Sequence, residues 1–407
     1  MDKNILREYA KLIAVSGVNV QPRQEVVVRA EPESLDFLET LVEELYLAGA
    51  GRVRVEWRYV PLTCLDIKYQ DAETLGSVPK WEEEKLRHNS DTLPAMIYLH
   101  SDDPDGMNGI DQEKWALAQQ ARYKISKPYR DAMENKYQWC IAAVPGKAWA
   151  KKLFPELRPA AAVEKLWENI LATSRVDDDP IAAWGTHNKD LHDRCAYLNS
   201  LHIEKLHYTS ATGTDFTVGM IPEAQFCGGG ETSLQGIVFN PNIPSEECFI
   251  SPKRGQAEGI VYATKPLSYQ GQLIDKFWIK FHEGKAVEWH ADVNNELLTK
   301  LITMDEGSAY LGECALVPYD SPIRKSGILF YNTLFDENAA CHLALGMGFA
   351  DTIENFHEKT LAECRALGVN DSMIHEDFMI GSRDMNIDAV CADGKTVPIF
   401  RSGNWAF

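Results

Sequence analysis

The stretch from residue 26 to residue 57 restricts the fold more than any other part of the chain. Val26-Val27-Val28 is a short, wholly apolar run of the kind that makes a strand covered on both faces. Ser34 then reads as a helix cap, and Leu38, Leu41, Val42 and Leu45 recur at helical spacing until Gly49 closes the segment. Next, Val53, Val55 and Trp57 alternate with Arg52, Arg54 and Glu56, which is the period of a strand. Strand, helix and strand in this order make a βαβ unit, and the economical way to bury one is a parallel sheet covered by helices.

The pattern recurs. Residues 95–99 read as a strand, 112–135 as a helix, 139–144 as a second apolar strand and 163–173 as a helix. An open, mostly parallel α/β domain is expected over residues 1–201, with a helix near 188–201 leading out of it. From His202 the texture changes to short alternating strands, at 207–210, 216–220, 259–263 and 277–281, separated by Gly, Pro and Asn turns. Residues 280–287 read as a hairpin turning at Glu283-Gly284-Lys285, and 294–304 as a helix. Residues 202–407 are therefore expected to form a mainly antiparallel α+β domain. Two domains also suit a chain of 407 residues, which is long for one core.

Composition removes several classes of function. The formal net charge is -19, with 60 Asp+Glu against 41 Lys+Arg, and there is no basic run to track a phosphate backbone, which argues against nucleic acid as a partner. A negative field favours cations, including metals and the amino end of a peptide. The nine cysteines include no C-x-x-C pair and no regular spacing, so neither a zinc ribbon nor a disulfide framework is indicated, and reduced thiols in the cytoplasm fit best. Met1-Asp2-Lys3-Asn4 leads into a charged amphipathic stretch without the look of a leader. No segment approaches the roughly 18 uncharged apolar residues of a membrane helix. Gly228-Gly229-Gly230-Glu231 lacks the lysine of a phosphate loop and the spacing of a dinucleotide fingerprint, and reads as a turn. A Gly-x-Ser-x-Gly elbow is missing, so a serine hydrolase finds no support.

Metal-capable side chains gather in the second region. In His375-Glu376-Asp377 strand alternation puts His375 and Asp377 on one face and Glu376 on the other, so an imidazole and a carboxylate can meet at one ion; a half-exposed strand with a polar face is the other reading. Glu313 lies in the nearly uncharged run 311–317, where it either faces water from an edge strand or is buried beside a cation. Glu337 and His342 are five positions apart and share a site only if the backbone turns between them; by spacing alone a capping carboxylate and a packed histidine are the better reading. Glu247, just after Pro244-Ser245, reads ordinarily as the solvated start of an element. His187 with His192, and His282 with His290, are spaced to bind a metal but read first as helix-surface and hairpin residues; Trp184, His187 and Asp190 together suggest an interdomain or substrate-facing surface.

At these residues the chain resembles the metallo-aminopeptidases of the aminopeptidase T, aminopeptidase S and PepS family. The resemblance runs from Gly17-Val18-Asn19-Val20-Gln21-Pro22 to Gly403-Asn404-Trp405. It is strongest in Asn242-Ile243-Pro244-Ser245-Glu246-Glu247, in residues 311–322, in Asp336-Glu337-Asn338-Ala339 and in residues 375–381. It implies two divalent ions, zinc foremost with cobalt, manganese or magnesium as alternatives, held by Glu247, Glu313, Glu337, His342, His375 and Asp377. It further implies Glu313 as the carboxylate between the ions, and Glu247 or Glu337 as the proton carrier. The expected activity is removal of N-terminal residues from short peptides by a homodimer whose first domain restricts access and supplies dimer contacts. Cys248, Cys314 and Cys341 adjoin proposed ligands but read as packing residues. One departure stands out: Phe349 occupies the position where relatives carry a tyrosine that assists at the oxyanion or metal. Either another donor substitutes, with Tyr319 or Tyr310 as candidates, or the chain is a metal-binding relative of slower, altered or lost peptidase activity.

Overall fold

The computed structural model describes residues 1–101 and 103–407. By contacts the chain divides into two units, Met1–Thr186 with Gly230–Pro244, and His187–Gly229 with Ser245–Phe407.

The first unit is built on a five-stranded parallel sheet in the order Arg52–Trp57, Glu25–Ala30, Ala95–His100, Trp139–Ala143, Asn242–Ile243. Glu25–Ala30 has a neighbour on each side, which is why Val26, Val27 and Val28 are fully buried. Arg52–Trp57 is the edge, and there its charged positions serve: Arg54 pairs with Glu25 at 3.2 Å and with Glu56 at 2.6 Å. The helix Leu35–Leu47 buries Leu38, Leu41 and Leu45 of the expected stripe, with Phe37 beside them, and leaves Val42 half-buried. Ser34 does not cap it. Its backbone has turn-like angles, φ -89° and ψ 4°, instead of the extended values of a cap, and its hydroxyl donates to the Glu31 carbonyl at 2.6 Å. Three helices, Val60–Tyr69, Ala72–Gly76 and Lys80–Thr92, fill the segment between the second and third strands in sequence. The fifth strand comes from the excursion Gly230–Pro244, so residues far along the sequence complete this sheet.

The second unit holds two antiparallel sheets. The larger one has nine strands, among them Pro252–Tyr262, Gln272–His282 and Lys285–Val293. The last two form a hairpin through Glu283 and Gly284, both with positive φ, the backbone that a tight two-residue connection requires. Its inner face buries Leu206, Phe216, Phe277 and Phe281.

The smaller sheet runs Cys248–Ile250, Leu311–Leu316, His342–Gly346, His375–Met379, every pair antiparallel. Its two faces differ chemically. Cys248, Ile250, Cys314, Leu316, Leu343, Leu345 and Phe378 join the hydrophobic core. On the other face the register aligns Phe249, Ala315 and His342 in one row, and Glu313, Ala344 and Asp377 in the next. His375 sits opposite Gly346 at the end of the strand pair. That glycine has φ +103°, and a Cβ on it would lie 2.1 Å from the Ile374 carbonyl oxygen. Gly346→Ala is expected to destabilise the second unit by roughly 2–4 kcal/mol through strain and collision beside His375. A denaturation midpoint unchanged from wild type would contradict this.

Candidate metal centre

The polar face of the small sheet collects the six expected side chains. Glu313 extends from the second strand and is 4% exposed, so it lies inside the protein and not at a wet edge. Strand alternation delivers His375 and Asp377 from the fourth strand, and His342 begins the third. Glu247 immediately precedes the first. Glu337 opens a short 3-10 turn, Glu337–Ala339, and that turn followed by extended Ala340 is the backbone reversal that brings Glu337 and His342 to one place despite their spacing.

Distances divide the cluster into two trios. His342 Nε2 lies 3.2 Å from Glu247 Oε2, and His375 Nε2 lies 3.0 Å from Glu313 Oε2. Asp377 Oδ1 stands between the imidazoles, 3.9 Å from His342 Nε2 and 3.5 Å from His375 Nε2. Glu247, Glu313 and His342 each offer a ligand atom within 4.8 Å of the others, and so do Glu313, His375 and Asp377. Glu313 belongs to both sets. Glu337 is near enough to Asp377 for the two carboxyl groups to act on one another electrostatically.

The supports around these groups are specific. His342 Nδ1 donates to the Ala340 carbonyl at 3.1 Å, and His375 Nδ1 donates to the Met347 carbonyl at 2.6 Å. A carbonyl can only accept, so in each ring Nδ1 carries the proton and Nε2 is turned to the cluster, the usual arrangement of metal-binding imidazoles. Asn338 accepts from the Glu246 amide at 2.6 Å and donates to Glu337 Oε1 at 3.2 Å, tying two acidic segments together. His187 donates from Nε2 to the Ser245 carbonyl at 2.7 Å. A Cβ on Gly228 would come within 2.5 Å of the Glu247 carbonyl, so the glycine run gives a close approach of two backbones. The sequence points to His187, with Trp184 and Asp190, only as part of an interdomain or substrate-facing surface, and gives Asn338 and Gly228 no role at the site. Asn338 lies in the motif Asp336-Glu337-Asn338-Ala339 and Gly228 in a glycine run, but contacts 58 and 92 positions apart leave no local signal.

Other expected groups lie elsewhere. His282 pairs with Glu258 and His290 with Asp292, both among exposed residues. Cys248, Cys314 and Cys341 are packed into the core. The Tyr319 hydroxyl accepts from Arg324 at 2.8 Å, and the Tyr310 ring lies 4.4 Å from the Arg254 guanidinium carbon. Among the described residues neither tyrosine hydroxyl bonds any of the six. Phe349 places its ring 4.7 Å from that of His375, centroid to centroid.

Four carboxyl groups share this dry space, and none forms an ion pair with Lys or Arg among the described residues. Burial, with added repulsion from Asp377 and Glu247, pushes Glu313 up to about 7 against the pull of His375. Burial and the neighbouring carboxylates likewise push Glu337 well above the usual range. Burial raises Asp377 too, but the two imidazoles outweigh it and leave that group below its ordinary value. His342 feels burial in the opposite sense, and Glu247 and Asp377 overcome it, raising it to about 9. His342 Nε2 and Asp377 Oδ1 are buried without a hydrogen-bond partner. Crowded carboxylates, orphaned ligand atoms and two oriented imidazoles are the features of a cation site, and the oxygen and nitrogen donor set fits a catalytic divalent ion better than a closed thiolate site.

Comparison with known proteins agrees with that chemistry. A family model described as thermophilic metalloprotease (M29) matches residues 2–405. Aminopeptidase 2 of Geobacillus stearothermophilus is 42% identical over 404 residues, and aminopeptidase AmpS of Bacillus subtilis (strain 168) 41% identical over 404; each alignment covers 99% of this chain and 98% of the relative. The structure of wild-type AmpT from Thermus thermophilus superimposes with a TM-score of 0.90 at 36% identity, covering all of both chains. The chain belongs to the thermophilic metalloprotease (M29) family and is a metallo-aminopeptidase.

Proposed function

We propose that the six clustered side chains hold two divalent ions with Glu313 between them, and that this centre removes the N-terminal residue of short peptides. The observation that carries the reading is the pair of ligand trios sharing Glu313. Glu247 and His342 would serve one ion, His375 and Asp377 the other, with Glu337 completing the shell beside Asp377. Such donors suit zinc best, with cobalt, manganese or magnesium as alternatives. When bound, a pair of ions supplies Lewis acidity, lowering the pKa of a water and polarising the scissile carbonyl.

The chain's own residues supply the rest. The Ala340 and Met347 carbonyls fix the two imidazole rings, so neither ring must reorient during turnover. Glu247 or Glu337 takes the proton from the attacking water and delivers it to the departing amine nitrogen as the C–N bond breaks. The acidic surroundings favour the amino end of a peptide over other parts of a substrate. The reading extends to a cytoplasmic homodimer with 202–407 as its catalytic region; the nine free cysteines suit a reducing compartment.

A second reading rests on Phe349, whose ring beside His375 offers no hydrogen-bond donor. In it the chain binds ions but cleaves slowly, differently or not at all.

Purified protein is expected to hydrolyse aminoacyl-nitroanilides, to lose activity on chelation and to regain it with zinc, cobalt or manganese. Added ions should also raise the melting midpoint of the chelated protein, since they bind only the assembled site. Cleavage that ignores the chelator would sink the proposal. Glu313→Gln should reduce kcat by more than about 100-fold, beyond the loss typical of an outer partner. The same variant in metal-free form should melt no lower than wild type, because it removes one charge from a crowded buried site. Full activity in Glu313→Gln would show that another carboxylate does this work. Phe349→Tyr should raise kcat, by up to about 100-fold if a missing donor limits the rate. Stoichiometric metal binding with no cleavage by wild type, and cleavage gained in Phe349→Tyr, would establish the second reading instead.

A further inference from the structure

Two phenyl rings border the metal-capable cluster, and the hydrolytic chemistry uses neither. Phe249 follows Glu247 by two positions, and its register partner Ala315 is itself opposite His342, so Phe249 lies in the row of His342 on the polar face. Its neighbours Cys248 and Ile250 turn to the hydrophobic core. The Phe249 backbone is clamped by Cys227, amide to carbonyl in both directions at 2.8 Å. Phe349 is clamped as firmly from the other side. Its amide donates to Ser251 Oγ at 2.7 Å, and its carbonyl accepts from Thr352 Oγ1 at 2.8 Å. The two rings meet edge to face at 5.6 Å, and Phe349 continues to His375 at 4.7 Å. Both phenylalanines are only half-buried.

This placement has no explanation in core packing, since the sheet's core face is the opposite one. Half-covered aromatic surface beside four carboxyl groups is favourable only when something apolar covers it. Besides the ligands, the register rows of this face carry the methyl groups of Ala315 and Ala344 and, opposite His342, Met379. In an exopeptidase the substrate group nearest the reacting carbonyl, apart from the amine, is the side chain of the residue being released. We propose that Phe249 and Phe349 form the apolar wall against which that side chain packs, so that the enzyme favours peptides beginning with an aromatic or branched aliphatic residue. The inference rests on the proposed peptidase centre and names its preferred substrate class. It also gives Phe349 a use: without a hydroxyl, its ring continues the apolar surface of Phe249.

The test compares wild type, Phe249→Ala and Phe249→Leu on Gly-, Ala-, Leu- and Phe-nitroanilides. Wild type should favour Leu and Phe over Gly in kcat/KM by about tenfold or more, the scale of discrimination by a small apolar pocket. Phe249→Ala should lose most of that ratio, chiefly through KM for the bulky substrates, while Phe249→Leu, which keeps apolar bulk, should retain it. A ring that only steadies the fold or His375 would lower all four substrates alike and leave the ratio unchanged. That result overturns the inference, as does a wild type without preference. Calorimetric binding of leucinamide against glycinamide to the zinc-loaded proteins repeats the comparison without turnover. Absence of all cleavage would defeat the peptidase reading, whereas equal binding of the two amides would defeat the apolar wall.

Discussion

Four carboxyl groups and two imidazoles meet in a space from which water is largely excluded, and the second unit is organised around making that tolerable. Like charges at such separations repel strongly in a medium of low dielectric, and no lysine or arginine neutralises them among the described residues. Protons shared among the groups are one relief, seen in the raised Glu313 and Glu337. Cations are the other. The protein holds the groups together by hydrogen bonds made behind them: Ala340 and Met347 to the imidazoles, and Asn338 to the segments of Glu246 and Glu337.

The small antiparallel sheet makes this arrangement precise because side chains alternate across it. One face carries cysteine, leucine and phenylalanine into the core, and the apolar area they bury anchors the strands. The other face is thereby free to carry polar groups at fixed spacing, with alanines between them. Glycine at 346 and at 228 permits backbone approaches that a side chain would block. A site built on strands is stiffer than one built on loops, which suits chemistry that depends on holding several ligand atoms near one another. Glu247 and Glu337 come from connecting segments, which Asn338 ties together through the Glu246 amide and Glu337 Oε1.

Much of the architecture was legible because it follows from period. Val26-Val27-Val28 and, within the stripe, Leu38, Leu41 and Leu45 match the burial they received, while Val42 is half-buried. Residues 52–57 form the expected strand, but at the sheet edge their burial does not alternate: Val53 to Glu56 are all half-buried and Trp57 is exposed. The Glu283-Gly284 turn and the shared face of His375 and Asp377 were legible for the same reason. The helices between residues 60 and 92 were not, and the first of them shows why: Leu62, Leu65 and Tyr69 are exposed, so its pattern does not announce a buried face. The two-residue strand Asn242–Ile243 has no pattern of its own and exists only because the strand Trp139–Ala143 offers it an edge.

The candidate site divides along the same line. The amino-acid sequence by itself determined the ligand types, the strand that pairs His375 with Asp377, and the family to which those motifs belong. It left open whether Glu313 faced water, because burial of one carboxylate depends on what lies across the sheet. It could not join Glu337 to His342, since five positions match neither a helix nor a strand, and only the turn at Glu337–Ala339 reverses the chain. Tertiary structure alone decided that Glu313 stands in both ligand trios, that Asn338 and His187 support the acidic segments, and that Phe349 and Phe249 lie together beside the cluster. The physical reason is that local pattern fixes which face a side chain takes within its own element, whereas convergence on one point is set by how separate elements pack.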